Sequence, residues 1–222
     1  MTFKEELFEN LKTLYKETTG HKIQLVKNHD VDQYVYRYGE IPKGIYYISS
    51  GSVKVARQGT NGREVILRVA QSHDFIGYLS LLQGWSYKTS AICLEKSEIY
   101  FIAKTIFLKS IEADPQFGYK VIEMLCDRVY KSDNAITGLA TKSVRERLCM
   151  TLLTLDRTTP SFDEIGVVKF KRKDIAAMIG TIPETISRQL NELEKAGLII
   201  NHEKHIEIIN REELTKIGKL GD

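Results

Sequence analysis

RKDIAAMIGTIPETISRQLNELEKAGLI, residues 172–199, contains two helical patterns on either side of Gly180. Asp174 lies near the start of the first pattern and Gly180 just past its end, where such residues favour helix starts and stops. Pro183 suits the first turn of the second helix, because its missing N–H costs little there. Apolar residues spaced 4, 4 and 3 apart predict one buried face for this second helix: Ile182, Ile186, Leu190 and Leu193.

The flanking residues complete a motif. VVKF (167–170) predicts a short strand, and LIINHEKHIEIIN (198–210) predicts two strands around a polar turn. An amphipathic helix is expected over 143–156, before a segment broken by Pro160 and Gly166. The order of strand, helix, turn, helix and hairpin predicts a helix-turn-helix with a β-wing.

The polar face of the second helix begins with short or forked side chains, at Glu184, Thr185, Ser187 and Arg188. In a helix-turn-helix this helix lies in the major groove with its first residues at the base edges. Arg188 can donate two bonds to guanine, Glu184 can accept from cytosine N4, and Ser187 can bond either way. The alternative is a Glu184–Arg188 pair on a solvated surface. The surrounding motif favours DNA recognition.

A basic cluster precedes the first helix and is predicted to contact phosphates: Lys171, Arg172 and Lys173, next to Lys169. The alternative is a solvated edge. Bulk charge does not decide between them, because the 222-residue chain has a formal net charge of only +3. No apolar run approaches the ~18 residues of a membrane span, and the N-terminus resembles neither a signal nor a transit peptide. We therefore expect a cytoplasmic protein without a membrane partner.

The N-terminal part has a different pattern. A helix is predicted over 3–17, and residues 21–104 show short runs of Val, Ile and Tyr broken by glycines. Asn61-Gly62 predicts a hairpin whose two central residues have positive φ. Several short strands at this spacing predict a sandwich or barrel, and residues 105–112 predict a short helix. The fold class is therefore α+β.

A long helix is predicted from Pro115 to about residue 142. Six residues spaced 3, 4, 3, 4 and 3 apart form a narrow seam along it: Ile122, Leu125, Val129, Ser132, Ile136 and Leu139. Such a seam predicts a two-helix coiled coil and hence a homodimer, the alternative being a helix packed only on its own domain. The predicted division is a sensor domain at 1–114, a dimerisation helix at 115–142 and a winged helix-turn-helix domain at 143–222.

The whole chain resembles the CRP/FNR family of bacterial transcription regulators. The resemblance rests on GIYYISSGSVKV, GREVILRVAQSHDFIG, GLATKSVRERL and the stretch quoted first. It implies a jelly-roll-like sensor domain, a homodimer on double-stranded DNA, and RNA polymerase as a partner. The ETISR sequence of the second helix is similar to the FNR branch, which implies a near-palindromic TTGA-like site.

The resemblance also implies an effector pocket at Gly77, Tyr78, Leu79, Lys88 and Thr89, with Ser132 and Asp133 at the family's adenine-facing positions. Tyr78 stands where cyclic-nucleotide binders have Glu, and Lys88 stands where they have Arg. Lysine lacks the planar fork that binds a phosphate with two bonds. These departures predict that cyclic AMP is not the effector, while another anion held by Lys88 and Thr89, or no ligand at all, stays open.

No cofactor is predicted. The FNR-type iron–sulfur cluster needs N-terminal cysteines, and residues 1–92 contain none. Haem would need His21, His29 or His73, and only their presence supports it. The three cysteines lack metal-binding or disulfide spacing and are expected to be buried or half-buried thiols, so no metal site is predicted.

A rival interpretation is a cyclic-nucleotide-type regulatory module of an enzyme or channel system. The winged helix-turn-helix argues against it, because such modules are followed by a catalytic domain or a membrane span. The chain also lacks the GxSxG and HExxH motifs of hydrolases. We therefore expect a DNA-binding regulator and not an enzyme.

Overall fold

The computed structural model describes residues 2–19, 25–156, 167–203 and 205–219. The chain forms two compact units, 1–129 and 130–222. Their boundary lies inside one long helix, α4 (Pro115–Thr141), whose ends lie within a residue of the predicted divisions at 114 and 142. The segment around Pro160 and Gly166 lies outside the described residues.

The first unit is a β-sandwich with helices. It begins with α1 (Phe3–Thr19) and continues with β1 (Leu25–His29), β2 (Tyr34–Tyr36), β3 (Gly44–Ser50), β4 (Ser52–Gln58), β5 (Glu64–Gln71), β6 (Phe75–Ile76), α2 (Tyr78–Gln83), β7 (Ser90–Cys93), β8 (Ser97–Ala103) and α3 (Lys104–Ala113). Two antiparallel four-stranded sheets have the orders β1-β8-β3-β6 and β2-β7-β4-β5. This is the double-sheet arrangement expected from the short strands.

Two apolar clusters hold this unit together. One lies between the sheets and includes Ile48, Val53 and Ile99, all fully buried. The other packs α1, α3 and the start of α4 on the sheet that contains β3, with Leu11 and Phe107 at its centre. Burial on this scale is the main favourable term in folding.

The β4–β5 hairpin is confirmed, but its predicted turn type is wrong. Five residues connect the strands, and among them only Gly62 has a positive φ, of 74°. Gly62 N–H donates to the Gly59 carbonyl at 3.0 Å, and Gly59 N–H donates to the Arg63 carbonyl at 2.8 Å. A longer loop needs only one left-handed residue, so Asn61 does not adopt that conformation.

The second unit contains the end of α4, then α5 (Val144–Asp156), β9 (Val167–Val168), α6 (Arg172–Ile179), α7 (Pro183–Lys195), β10 (Ile199–Asn201), β11 (Ile206–Ile208) and α8 (Arg211–Lys219). The small sheet has the order β10-β11-β9 and is antiparallel. The core of the second unit consists of fully buried residues of α5, α6, α7 and α8: Leu148, Leu152, Ile175, Ile186, Leu190, Leu193 and Leu214. The predicted winged helix-turn-helix is confirmed.

Candidate nucleic-acid interface and effector cavity

The turn between α6 and α7 is fixed by backbone and side-chain bonds. Gly180 adopts the left-handed conformation, with φ of 70°, and Thr181 N–H donates to the Ala176 carbonyl at 3.0 Å. This is a common way to end a helix, and glycine adopts it without strain. Arg147 Nε, from α5, donates to the Ile179 carbonyl at 3.0 Å. The turn therefore sets the direction in which α7 leaves α6.

The apolar face of α7 anchors the helix. Ile186, Leu190 and Leu193 are fully buried. Ile182, predicted on the same face, is instead 36% exposed, because it lies just before the helix with an extended backbone. Three buried anchors suffice to present the opposite face of α7 outward.

The predicted DNA-reading residues lie on that outward face. Glu184 and Arg188 are exposed, whereas Thr185 and Ser187 are half-buried. Ser187 Oγ donates to the Pro183 carbonyl at 3.1 Å. Among the described residues, neither Glu184 nor Arg188 forms an ion pair or a side-chain hydrogen bond. The intrahelical Glu184–Arg188 pair, the alternative interpretation, does not form in this structure.

Arg172 holds the wing. Its Nη2 donates to Asn201 Oδ1 at 2.9 Å, and its two Nη atoms reach the carbonyls of His202 and Glu203 at 3.3 Å. Asn201 N–H in turn donates to Glu194 of α7 at 2.8 Å. The guanidinium therefore links the start of α6 to the wing turn, and its predicted contact with DNA stays a prediction.

The other predicted phosphate contacts, Lys171 and Lys173, are exposed beside the start of α6. In the wing, the rings of His202 and His205 stack with centroids 4.2 Å apart. Across the described ranges, no group of three His, Cys, Asp or Glu residues could hold a metal ion.

The first unit contains a cavity of about 270 Å³ beside α2. All five residues predicted there from the same unit line it: Gly77, Tyr78, Leu79, Lys88 and Thr89. Gly77, directly after β6, has a φ of 87°, and α2, which was not predicted, begins at the next residue. Tyr36 Oη lies 3.5 Å from Thr89 Oγ1. Ser132 and Asp133 belong to the second unit, and their role at an effector stays a prediction.

Two arginines that were not predicted also line this cavity. Arg68 Nη2 donates to the Phe75 carbonyl at 2.8 Å, and its guanidinium lies 6.0 Å from the Tyr78 ring centroid. Burial, followed by the charge of Arg68, lowers the pKa of Arg128 below its ordinary value. Burial likewise raises the pKa of Tyr78, so the phenol stays neutral.

The sequence carried a signal for both arginines. Arg68 lies on β5 between the buried residues Ile66 and Ala70, although the strand register shifts beside it. Arg128 follows the buried residues Val121 and Met124 at helical spacing. A charged residue at an inward position is uncommon and marks a candidate site.

The predicted seam of α4 is largely exposed in the single chain. Ile122, Val129, Ile136 and Leu139 are 52–64% exposed, and Leu125 and Ser132 are half-buried. The neighbouring face of the helix buries Phe117, Val121 and Met124. An exposed apolar stripe of this length is typical of an interaction surface.

The histidines considered as haem ligands and the three cysteine thiols lie in different surroundings. His73 Nδ1 lies 2.8 Å from the Tyr47 hydroxyl, His29 is buried, and His21 lies outside the described residues. Burial raises the pKa of the Cys93 and Cys149 thiols to about 11. Cys126 is exposed, so the prediction of three buried or half-buried thiols is wrong for it.

Among helices of the described residues, none has the length and apolarity to cross a bilayer.

The chain combines a β-sandwich that contains a cavity, a long helix and a winged helix-turn-helix. This combination defines the class of DNA-binding regulators with a separate sensor domain. Comparison with known proteins supports this assignment. Residues 26–114 match the family model of the cyclic nucleotide-binding domain, and residues 146–217 match that of the Crp-like helix-turn-helix domain.

Relatives cover most of the chain. The global nitrogen regulator of Synechococcus elongatus is 25% identical over 207 residues, which are 90% of this chain and 93% of that protein. The cAMP-activated global transcriptional regulator CRP of Salmonella typhimurium is 28% identical over 171 residues, 76% of this chain and 81% of that protein. The structure of FixK2 from Bradyrhizobium japonicum has the same fold, with a TM-score of 0.76 at 22% identity over 86% of this chain and 95% of that one.

The chain belongs to the CRP/FNR family and is a DNA-binding transcription regulator. Members of this family are not enzymes, and they bind DNA as dimers. The fold class and the family predicted from the sequence are confirmed.

Proposed function

We propose that the protein acts as a homodimer that reads a near-palindromic TTGA-like DNA site through the helix over 183–196. Arg188 donates to a guanine in each half-site, Glu184 accepts from a cytosine, and Thr185 and Ser187 fit between them. Lys171 and Lys173 contact phosphates. The protein works in the cytoplasm, where it meets its DNA and RNA polymerase.

One observation carries the DNA proposal. Three buried residues fix α7, while the charged groups of Glu184 and Arg188 project from its first two turns without a protein partner among the described residues. Their positions, 184 and 188, share one helix face. Recognition of base edges requires side-chain donors and acceptors at the start of this helix that are available to DNA.

The dimer proposal rests on the exposed seam of α4. Burying four large apolar side chains that are each more than half exposed gives a strong hydrophobic driving force. Two copies of α7 related by a two-fold axis would suit half-sites one helical turn, about 34 Å, apart. Family membership supports the same assembly.

The effector proposed for the cavity is a ligand other than cyclic AMP. Among the lining residues none is acidic, so the cavity offers no carboxylate to a ribose hydroxyl. Tyr78 fills the position where such a carboxylate was expected. An effector would act by binding the DNA-competent arrangement more tightly than the other arrangement.

The Arg188→Ala variant tests the DNA proposal. Fluorescence anisotropy with a duplex containing TTGA and TCAA half-sites should show specific binding weakened by ~1–3 kcal/mol, with relaxed preference at one guanine per half-site. Lys195→Ala removes a positive charge from the far end of the same helix and serves as the control. If Arg188→Ala discriminates among sequences as the unmodified protein does, α7 is not the reading element.

A further inference from the structure

The seam of α4 gives the residues around it positions in a repeat of seven. Its members alternate in steps of three and four along one uninterrupted helix, so they occupy positions a and d of a coiled coil. The repeat places Arg128, directly before the seam residue Val129, at position g. It places Asp133, directly after the seam residue Ser132, at position e. Arg128 and Asp133 therefore lie on the two opposite flanks of the seam.

Neither charge has an ion-pair partner within the chain. Among the described residues, Arg128 and Asp133 form no ion pair and no side-chain hydrogen bond. Asp133 is exposed, whereas Arg128 is half-buried. Burial, followed by the charge of Arg68, lowers the pKa of Arg128, and the charge of Asp127 offsets this only in part. Because arginine keeps its charge in proteins, a carboxylate beside Arg128 would stabilise it.

A parallel pair of α4 helices would join the two flanks. In such a pair, position g of one helix crosses to position e of its partner five residues further on, and charges at these positions set partner choice and orientation. Arg128 and Asp133 are five residues apart, about 7.5 Å of helix rise, so this crossing joins Arg128 to Asp133 of the partner. Two-fold symmetry makes the same contact twice.

The crossing from Arg128 to Asp133 is the only charged one along the seam. The neighbouring crossings offer no second ion pair, since they join apolar or small residues: Val121 with Cys126, and Ala135 with Ala140. Antiparallel helices instead place g against g and e against e, so they never bring Arg128 to Asp133. The charges therefore favour a parallel pair, which is also what a two-fold symmetric reader of one DNA site requires.

We propose that Arg128 of each protomer forms an ion pair with Asp133 of the partner. The two ion pairs select a second copy of this chain, parallel and in register, as the partner of α4. The proposal rests on the homodimer proposed above and names the residues that determine its partner and direction. The seam supplies the apolar area, whereas the ion pairs disfavour helices with a different charge pattern.

Charge reversal at Asp133 tests one side of the pair. Asp133→Arg sets an arginine against Arg128 of the partner twice in each dimer. The dimer dissociation constant, measured by sedimentation equilibrium, should therefore rise about tenfold. Asn134→Arg adds an arginine one residue further along, outside positions e and g, and should leave the dissociation constant unchanged. Both side chains are exposed, so both variants should fold.

A mixture of two variants gives a sharper test. Arg128→Glu alone sets a carboxylate against Asp133 of the partner and should weaken its own dimer to a similar degree. A heterodimer of Arg128→Glu with Asp133→Arg contains two opposite-charge pairs and no like-charge pair. Native mass spectrometry of chains that differ in mass should therefore show about nine-tenths heterodimer, against about half for random exchange. Combining both substitutions in one chain should restore the homodimer.

Each of three results would overturn the inference. They are equal dissociation constants for Asp133→Arg and Asn134→Arg, a mixture without excess heterodimer, and a combined variant that dissociates as readily as the single ones. Circular dichroism shows whether Arg128→Glu is folded, and if it is not, the comparison of Asp133→Arg with Asn134→Arg decides by itself. A failure of the proposed homodimer is distinct, because the unmodified protein would then itself sediment as a monomer.

Discussion

Arg188 and Arg172, sixteen residues apart, differ in how the fold uses their hydrogen-bond donors. Arg188 is exposed on α7 and has no partner among the described residues, so its donors are available to a base. Arg172 gives its donors to Asn201 and to two carbonyls of the wing turn. Sequence alone assigned both to DNA, because the number of donors that a fold uses internally is not visible in the sequence.

Arg172→Lys should loosen the wing although it keeps the charge. Lysine cannot reach three acceptors with a planar fork, so the wing turn loses bonds of the charge-assisted kind, each worth ~1.5–3 kcal/mol. Amide hydrogen exchange of Ile206–Ile208 should become faster, and DNA affinity should fall several-fold. Lys173→Ala removes a whole charge beside it and should leave this exchange unchanged. Identical exchange in Arg172→Lys and the unmodified protein would show that the wing does not depend on Arg172.

At the scale of the element, α4 has one buried and one exposed apolar face. Phe117, Val121 and Met124 pack on the β-sandwich, while Val129 and Ile136 remain about 60% exposed. The narrow 3-4 spacing predicted the seam, and its role as a dimer interface stays a prediction. A helix that packed only on its own domain would be expected to carry polar residues on its exposed face.

Val129→Glu should convert the dimer to monomers. Two carboxylates would meet across the symmetry axis in a seam with few apolar layers, and their like charges would repel each other. Sedimentation measures the result directly. Asn134→Glu adds the same charge to an exposed position on the other side of α4 and should stay dimeric. A Val129→Glu protein that sediments as an intact dimer would place the interface elsewhere.

Other elements were less predictable, and the reasons are physical. α2 has only six residues, from Tyr78 to Gln83, too few for helical periodicity to show. α8 was missed because most of its residues are charged, and its place depends on tertiary contacts: Leu214 is buried and Lys142 Nζ donates to the Gly218 carbonyl at 3.0 Å. Long amphipathic patterns such as α4 and α7 were predicted correctly because burial of one face decides them.

At the scale of the whole molecule, the order of β-sandwich, long helix and winged helix-turn-helix could be predicted, but the full lining of the cavity beside α2 could not. Gly77, Tyr78, Lys88 and Thr89 lie close together in the sequence, and their alignment with a known pocket was sufficient to place them. Arg68 and Arg128 are sixty residues apart, and only the folded chain brings them to the same cavity.

Cyclic AMP at millimolar concentration should leave both the melting temperature and the DNA affinity unchanged. The cavity lining has no carboxylate for the ribose, and Lys88 offers an ammonium group in place of a planar fork. A ligand present at 100 times its Kd would add ~2.7 kcal/mol of stability, which thermal melting detects easily. Stabilisation by cyclic AMP that disappears in Lys88→Ala would instead make the protein a cyclic-nucleotide sensor.

Hydroxyl-radical footprinting tests the central claim, that two copies of α7 read one DNA site. The unmodified protein is bound to a duplex with TTGA and TCAA half-sites whose centres are about 10 base pairs apart. Two protected patches one helical turn apart on the same face of the duplex are expected, and both should disappear when the half-sites are scrambled. A single patch, or protection that persists on the scrambled duplex, would contradict the account.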